Sequence, residues 1–396
     1  IVFGDWSSDV CSSDLALLSL NHTPSPVSQS LGNAGNAIST EDAFGLWHNP
    51  AHAGMAALEN NLMVNLYPAE VHLKRNSFDG MSYSNFAALA GYDFGHDSSG
   101  LPLSIGFGVT KQKMNLGIPK IDSTYHLFTN NPYERIDGIS AGACLDAGVK
   151  IAIGFTYKSI ASDYFSWLMK DSSKAEYKTT AADIGILAVV PLAESFDLLG
   201  DLKFDASASI GLAFSNIGGK MAYQSKDDPL PRTANLGYSI TIDIGYKGII
   251  NYYKLLRAEW TMEYEDFLVR TTNNKIEYEA IFSDLNVIQN IFLLKNPFRE
   301  TIKYGAKFTL LNSILIMLGN YNSTGPRGED HFTVGWGIKL HGLFDYLAGE
   351  TQSDLFSFLG RHFDMAFYFN SKEEIGKEKY VRTYSAFTFS IKNFGF

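Results

Sequence analysis

From about residue 60 to its end, this chain repeats a hydropathy alternation of period two. Leu101, Leu103, Ile105, Phe107 and Val109 alternate with Pro102, Ser104, Gly106, Gly108 and Thr110. Val149, Ile151, Ile153, Phe155 and Tyr157 do so against Lys150, Ala152, Gly154, Thr156 and Lys158, and Phe332, Val334, Trp336, Ile338 and Leu340 against Thr333, Gly335, Gly337 and Lys339. Ile302, Tyr304, Ala306, Phe308 and Leu310 repeat the pattern against Lys303, Gly305, Lys307 and Thr309. Side chains of a strand point to opposite faces in turn, so each segment is a strand with one greasy face.

The character of the second face decides which solvent the first one meets. A soluble sandwich decorates its polar face with long charged side chains. Here that face is mostly Gly, Ala, Ser and Thr with occasional Lys, while the apolar face is bulky and aromatic. The segments run to about ten residues or more, near the length a tilted strand needs to cross a bilayer, and no apolar run offers a spanning helix. In hydrocarbon an open sheet edge would leave backbone groups unpaired. The expectation is therefore an all-β, transmembrane, antiparallel β-barrel.

Fourteen strands are predicted, at 60–73, 79–95, 101–115, 135–146, 148–162, 177–191, 202–216, 230–247, 254–267, 299–311, 312–323, 330–342, 361–370 and 380–396. Connections after odd strands include the long 116–134, 163–176, 217–229 and 268–298, whereas those after even strands are mostly a few residues. Bacterial barrels have long outer loops and short periplasmic turns, which puts both ends of the barrel on the periplasmic side. The one long inner connection, 343–360, carries apolar residues at amphipathic-helix spacing, as does 281–294 in an outer loop.

Composition agrees with a single closed unit: charged residues are 19% and aromatics 14%, with 28 Phe, 21 Tyr and 35 Gly, and no linker divides residues 60–396. A net charge of -10 without a basic stripe argues against a nucleic-acid partner. Asp5 to Leu15, DWSSDVCSSDL, reproduces the translation of a common sequencing-library adapter. Residues 1–15 are thus read as foreign, with 16–59 as a signal remnant followed by an N-terminal segment. Setting them aside leaves about -7 of charge and Cys144 as the single cysteine, so no disulfide framework is available.

That N-terminal segment carries the most distinctive motif. LGNAGNAISTEDAFGLWHNPAHAGM (31–55) resembles the opening signature of the FadL-like outer-membrane proteins, most closely the PorV/PorQ branch. GLAFSNIGG (211–219), PLPRTANLGYSI (229–240) and YGAKFTLLNSILIMLGNY (304–321) look like recurring phrases of that branch. His48, between Trp47 and Asn49, and His52-Ala53-Gly54 depart from its pattern. The resemblance implies a hatch inside the lumen, with Gly32, Asn33, Gly35, Leu46, Trp47, Asn49 and Pro50 as its ligand or hatch residues. It also implies a place in the bacterial outer membrane among its lipids. Two functions come with it, and the sequence leaves both open: passage of hydrophobic small molecules, or docking of secretion-system proteins in type IX protein secretion. Phe394 and Phe396 end the last strand and stand as its barrel-assembly signal, with a bulge or strand end expected near Lys392 and Asn393.

Chemistry-bearing residues are sparse. His48 and His52 are four apart, but Pro50 between them disfavours a helix and no third ligand is apparent, so they read as structural rather than as a metal site. Glu259, Glu263 and Glu265 share one strand parity and read as solvated lumen residues, the alternative being a carboxylate ladder for cations. No Ser, His or Asp sits in a nucleophile motif, so the chain is read as a non-enzyme without a cofactor.

Overall fold

Each of these alternating segments finds a partner on both sides. The computed structural model describes residues 17–38, 41–59, 62–66, 71–75, 78–96, 101–116, 118–119, 132–163, 176–223, 226–247, 252–272, 275–278, 300–323, 330–374 and 381–392. Fourteen strands form the ring: β1 (Leu62–Leu66), β2 (Phe78–Asp93), β3 (Leu103–Asn115), β4 (Tyr133–Asp146), β5 (Lys150–Ser162), β6 (Tyr177–Leu199) and β7 (Leu202–Gly218) make its first half. The second half is β8 (Thr233–Lys247), β9 (Tyr252–Phe267), β10 (Glu300–Leu310), β11 (Ile314–Ser323), β12 (His331–Lys339), β13 (Phe363–Glu374) and β14 (Val381–Ile391). Neighbours in sequence pair antiparallel throughout, and β1 pairs with both β2 and β14, which closes the barrel. Two short strands, Val71–Arg75 and Ile118–Pro119, pair onto β2 outside the ring.

The first predicted strand, 60–73, is divided in the structure into β1 and the separate strand Val71–Arg75. β6 runs eight residues past its expected end at 191. Pro191 cannot donate to the ladder, and the register shifts beside it and again further on, so the strand continues through irregularities that tolerate proline. The strand expected to reach 342 stops at Lys339, because the chain turns into α3 (His341–Thr351), followed by α4 (Asp354–His362). These helices occupy the long connection at the short-turn end. β14 ends at Ile391. Phe394 and Phe396, residues 1–15 and the segment 281–294 all lie outside the described residues.

Burial is inverted relative to a water-soluble barrel. Phe107, Ile139 and Ile153 on the outer face are about 60% exposed, and Tyr157, Ile186, Trp336 and Phe367 are exposed with them. The inward parity is buried: Ser104, Gln112, Ser140, Thr156, Lys158, Glu259, Glu263, Lys303 and Lys307 all point into the ring. What buries them is the N-terminal segment, in which α1 (Pro26–Ser30), a 3-10 turn at Ala43–Trp47 and α2 (His52–Ala57) are linked by irregular chain.

Candidate functional site

The contact between segment and wall begins with glycine. Gly106, Gly142, Gly154 and Gly185 are direct partners across β3, β4, β5 and β6, and Gly211 faces Gly237 and Gly305 faces Gly319 in the same way. Together with Gly335 they form a girdle on the inner wall. A Cβ on Gly305 would lie 2.8 Å from the Leu31 Cα, and one on Gly142 would lie 2.9 Å from the Gly54 nitrogen. At Gly106, Gly154, Gly185, Gly211, Gly319 and Gly335 the space is taken by Ala53, Pro50, Asn49, Asn36, Gly32 and Ser30. The wall is thus moulded to the backbone of residues 30–54, at a packing density that admits no further methyl group.

Polar groups then fix the register. The Glu263 carboxylate accepts the backbone N–H of Gly35 and of Asn36, both at 3.0 Å, and pairs with Lys303 at 2.8 Å. Lys303 also reaches Glu265 at 3.0 Å. Asn36 Nδ2 donates to the carbonyls of Gly211 and Asn235, each at 2.8 Å, and Asn49 Nδ2 donates to Asn36 Oδ1 at 2.8 Å and to the Ile186 carbonyl at 3.0 Å. Glu41 bridges Lys307 at 3.2 Å and Lys339 at 2.7 Å, while Lys307 holds Glu259 at 2.8 Å. Burial alone would raise the Glu41 carboxyl, but the two lysines hold it well below its ordinary range. The acidic set expected to be solvated is therefore buried and paired, because the segment and the lysines of β10 occupy the space water would have filled.

The expected site residues all lie in the segment inside the ring, but against different parts of its wall. Gly32 and Asn33 both take left-handed backbone where the chain turns against Asn320, a conformation glycine adopts freely and asparagine tolerates. Gly35 lies against the His48 ring and accepts from His52 Nε2 at 2.9 Å. Leu46 is buried among Phe44, Met63, Leu89 and Met114. Trp47 packs on a cluster of Leu17, Leu20, Ile136, Ile160, Met221 and Leu230 on the long-loop side. The Lys158 ammonium stands 4.5 Å over its ring while paired with Asp183 at 2.7 Å. Asn49 and Pro50 lead straight into α2 rather than into a simple reversal toward the first strand. His48 and His52 hold structural positions, and burial, with Lys303 adding to it, pushes the His48 imidazole down to about 3. Among the described residues no group of side chains is arranged to hold a metal ion.

Sequence reasoning missed Asn36, Glu41, Lys303, Lys307 and Lys339, and it missed the girdle. The girdle had a signal: nine of the fourteen predicted strands carry a glycine on the inward parity, at 106, 142, 154, 185, 211, 237, 305, 319 and 335.

Below the segment, toward the short turns, a cavity of about 460 Å³ is lined by Glu41, Arg257, Glu259, Lys339, His341 and Asp364 among others. It is charged and mixed in sign. The outer face of the ring is the opposite, a continuous apolar belt on fourteen antiparallel strands with short turns at one end and long loops at the other, which is the architecture of bacterial outer-membrane barrels. The chain is an outer-membrane β-barrel.

No family model and no curated protein matches it. Among solved structures the barrel is similar to the toluene transporter TodX of Pseudomonas putida, at a TM-score of 0.37 and 9% identity over 93% of this chain and 98% of that one. It is similar to a FadL homologue of Pseudomonas aeruginosa, at a TM-score of 0.35 and 9% identity over 92% and 96%. It is also similar to the beta domain of the Bordetella autotransporter Brka, at a TM-score of 0.36 and 9% identity over 85% and 100%.

Proposed function

We propose that residues 17–59 are a hatch, and that the barrel passes hydrophobic small molecules across the outer membrane when the hatch shifts. The observation that carries this reading is the position of Trp47. On one side it touches a buried apolar cluster at the long-loop end of the barrel, and on the other the Lys158–Asp183 pair buried in the wall. An apolar solute entering from the long-loop end would have to part that cluster, and displacing Trp47 from it breaks the contact of the segment with Lys158 of β5. The side chain contributes about 2 kcal/mol by burial and up to about 2 kcal/mol through the lysine. This is enough to hold a door and small enough to let it move.

Trp47→Ala is expected to raise uptake of an apolar dye into cells or vesicles carrying the protein, with heat-modifiable barrel mobility unchanged. Uptake equal to the parent, in a variant that inserts normally, contradicts the transport reading.

A second reading rests on how firmly the segment is held. A hatch keyed into a glycine girdle and pinned by Glu263 and Glu41 also suits a barrel that stays shut and offers its loops to a protein, as in the docking role of the PorV branch in type IX secretion. Dye uptake that stays at background in both proteins, together with co-purification of secretion components, favours that reading.

A further inference from the structure

The α3–α4 hairpin is fastened beneath the barrel wall. The Gly342 N–H donates to the Asn312 carbonyl at 3.3 Å in the β10–β11 turn, and a Cβ at that glycine would collide with the Leu311 carbonyl. At the other end the Lys392 N–H donates to the His362 carbonyl at 2.9 Å, tying α4 to the end of β14. Gly360 is buried against Phe344 and Asp345, so the two helices lie close.

A helix pair that only capped a lumen would turn its large apolar side chains inward. This one leaves Leu343, Tyr346, Leu355 and Phe358 exposed, Leu355 at 60%. Leu355, Phe358 and His362 follow at i, i+3 and i+7, one stripe of a strongly amphipathic helix. That stripe does not end in water. The Phe358 ring lies 5.9 Å from Phe363, and Phe363 lies 5.9 Å from Phe389, both on the outward parity of β13 and β14. The apolar surface of α4 is therefore continuous with the belt that faces the acyl chains. Arg361 in its last turn supplies the cationic edge that an interfacial helix turns to lipid phosphates.

We propose that the α3–α4 hairpin is an interfacial foot that lies in the periplasmic phospholipid leaflet, with Leu355 and Phe358 inserted among the acyl chains. The proposal rests on the membrane reading of the barrel and is independent of what the barrel transports.

The test uses the full chain in phospholipid nanodiscs, with Cys11 and Cys144 replaced by serine and a nitroxide placed at Leu355→Cys or Phe358→Cys. Phe107→Cys serves as the belt control and Asp354→Cys as the aqueous one. At 355 and 358, collision with oxygen is expected to match the belt control, and collision with a water-soluble nickel chelate to fall at least about threefold below position 354. Nickel access equal to position 354 overturns the foot. Low access to both reagents also overturns it, because it means protein covers the helix. Should the label at 358 disturb the hairpin, Leu343→Cys repeats the measurement. A Phe107 label that meets nickel freely refutes the membrane reading of the barrel, separately from the foot.

Discussion

His48 sits between the wall and the segment with its Nε2 unpartnered among the described residues, and with Lys303, Lys158 and His52 opposing a proton there against Glu265 alone. Docked, the ring stays neutral down to about pH 3; undocked, it takes a proton near 6.5. The lowered value means that the undocked state binds more protons throughout that window, so docking weakens as pH falls, by up to tenfold per pH unit below about 6.5. Glu41 acts in the same sense at lower pH, since its depressed carboxyl stabilises docking that is lost once the free carboxyl is protonated. Hydrogen exchange at the Gly35 and Asn36 amides, corrected for the intrinsic pH effect, is expected to lose protection between pH 7 and pH 5. His48→Gln should flatten that slope. Protection that is constant or rising toward pH 5 excludes this mechanism.

Among the elements, the strands were the most legible part of the sequence, because an apolar face meeting lipid has no reason to break its alternation. β3, β5, β10 and β12 fall close to where their residues place them. The extension of β6 was hidden by Pro191, which marks a strand end in isolation but is accommodated here at a bulge. The site was legible only from one side. Trp47, Asn49 and Pro50 announce a packed segment, whereas the parity of Glu263 and Lys303 reveals their direction and nothing of what they meet. An inward carboxylate looks the same in sequence whether water or a backbone amide awaits it. The girdle makes the sharpest element-scale test. Gly154→Leu puts a side chain where Pro50 and Ala51 sit, while leaving the ladder of β5 intact. The barrel should still assemble, and residues 41–59 should become cleavable by protease. The outward substitution Ile153→Leu should leave them protected. Equal resistance in both variants would show that the girdle is not what seats the segment.

As a whole molecule the barrel keeps its polar material inside, so residues 17–59 have no core of their own and acquire one only when the wall has closed around them. A protein from which residues 17–59 are removed should still insert, since the strand ladder and outer belt do not include them. In a planar bilayer it should carry a steady ionic current where the parent is nearly silent, and an inserted but equally silent deletion would mean that something else closes the lumen. The girdle also has a bearing on descent. The missing side chains are distributed over nine strands, while the atoms that fill their places belong to one stretch of about 25 residues. Neither partner can drift without the other, so a lineage that exchanges one of these glycines for a larger residue is expected to show a deletion or a shrunken side chain at the facing position. Inheritance in this family of shapes would then be read in matched pairs, much as a lock and its key must be recut together.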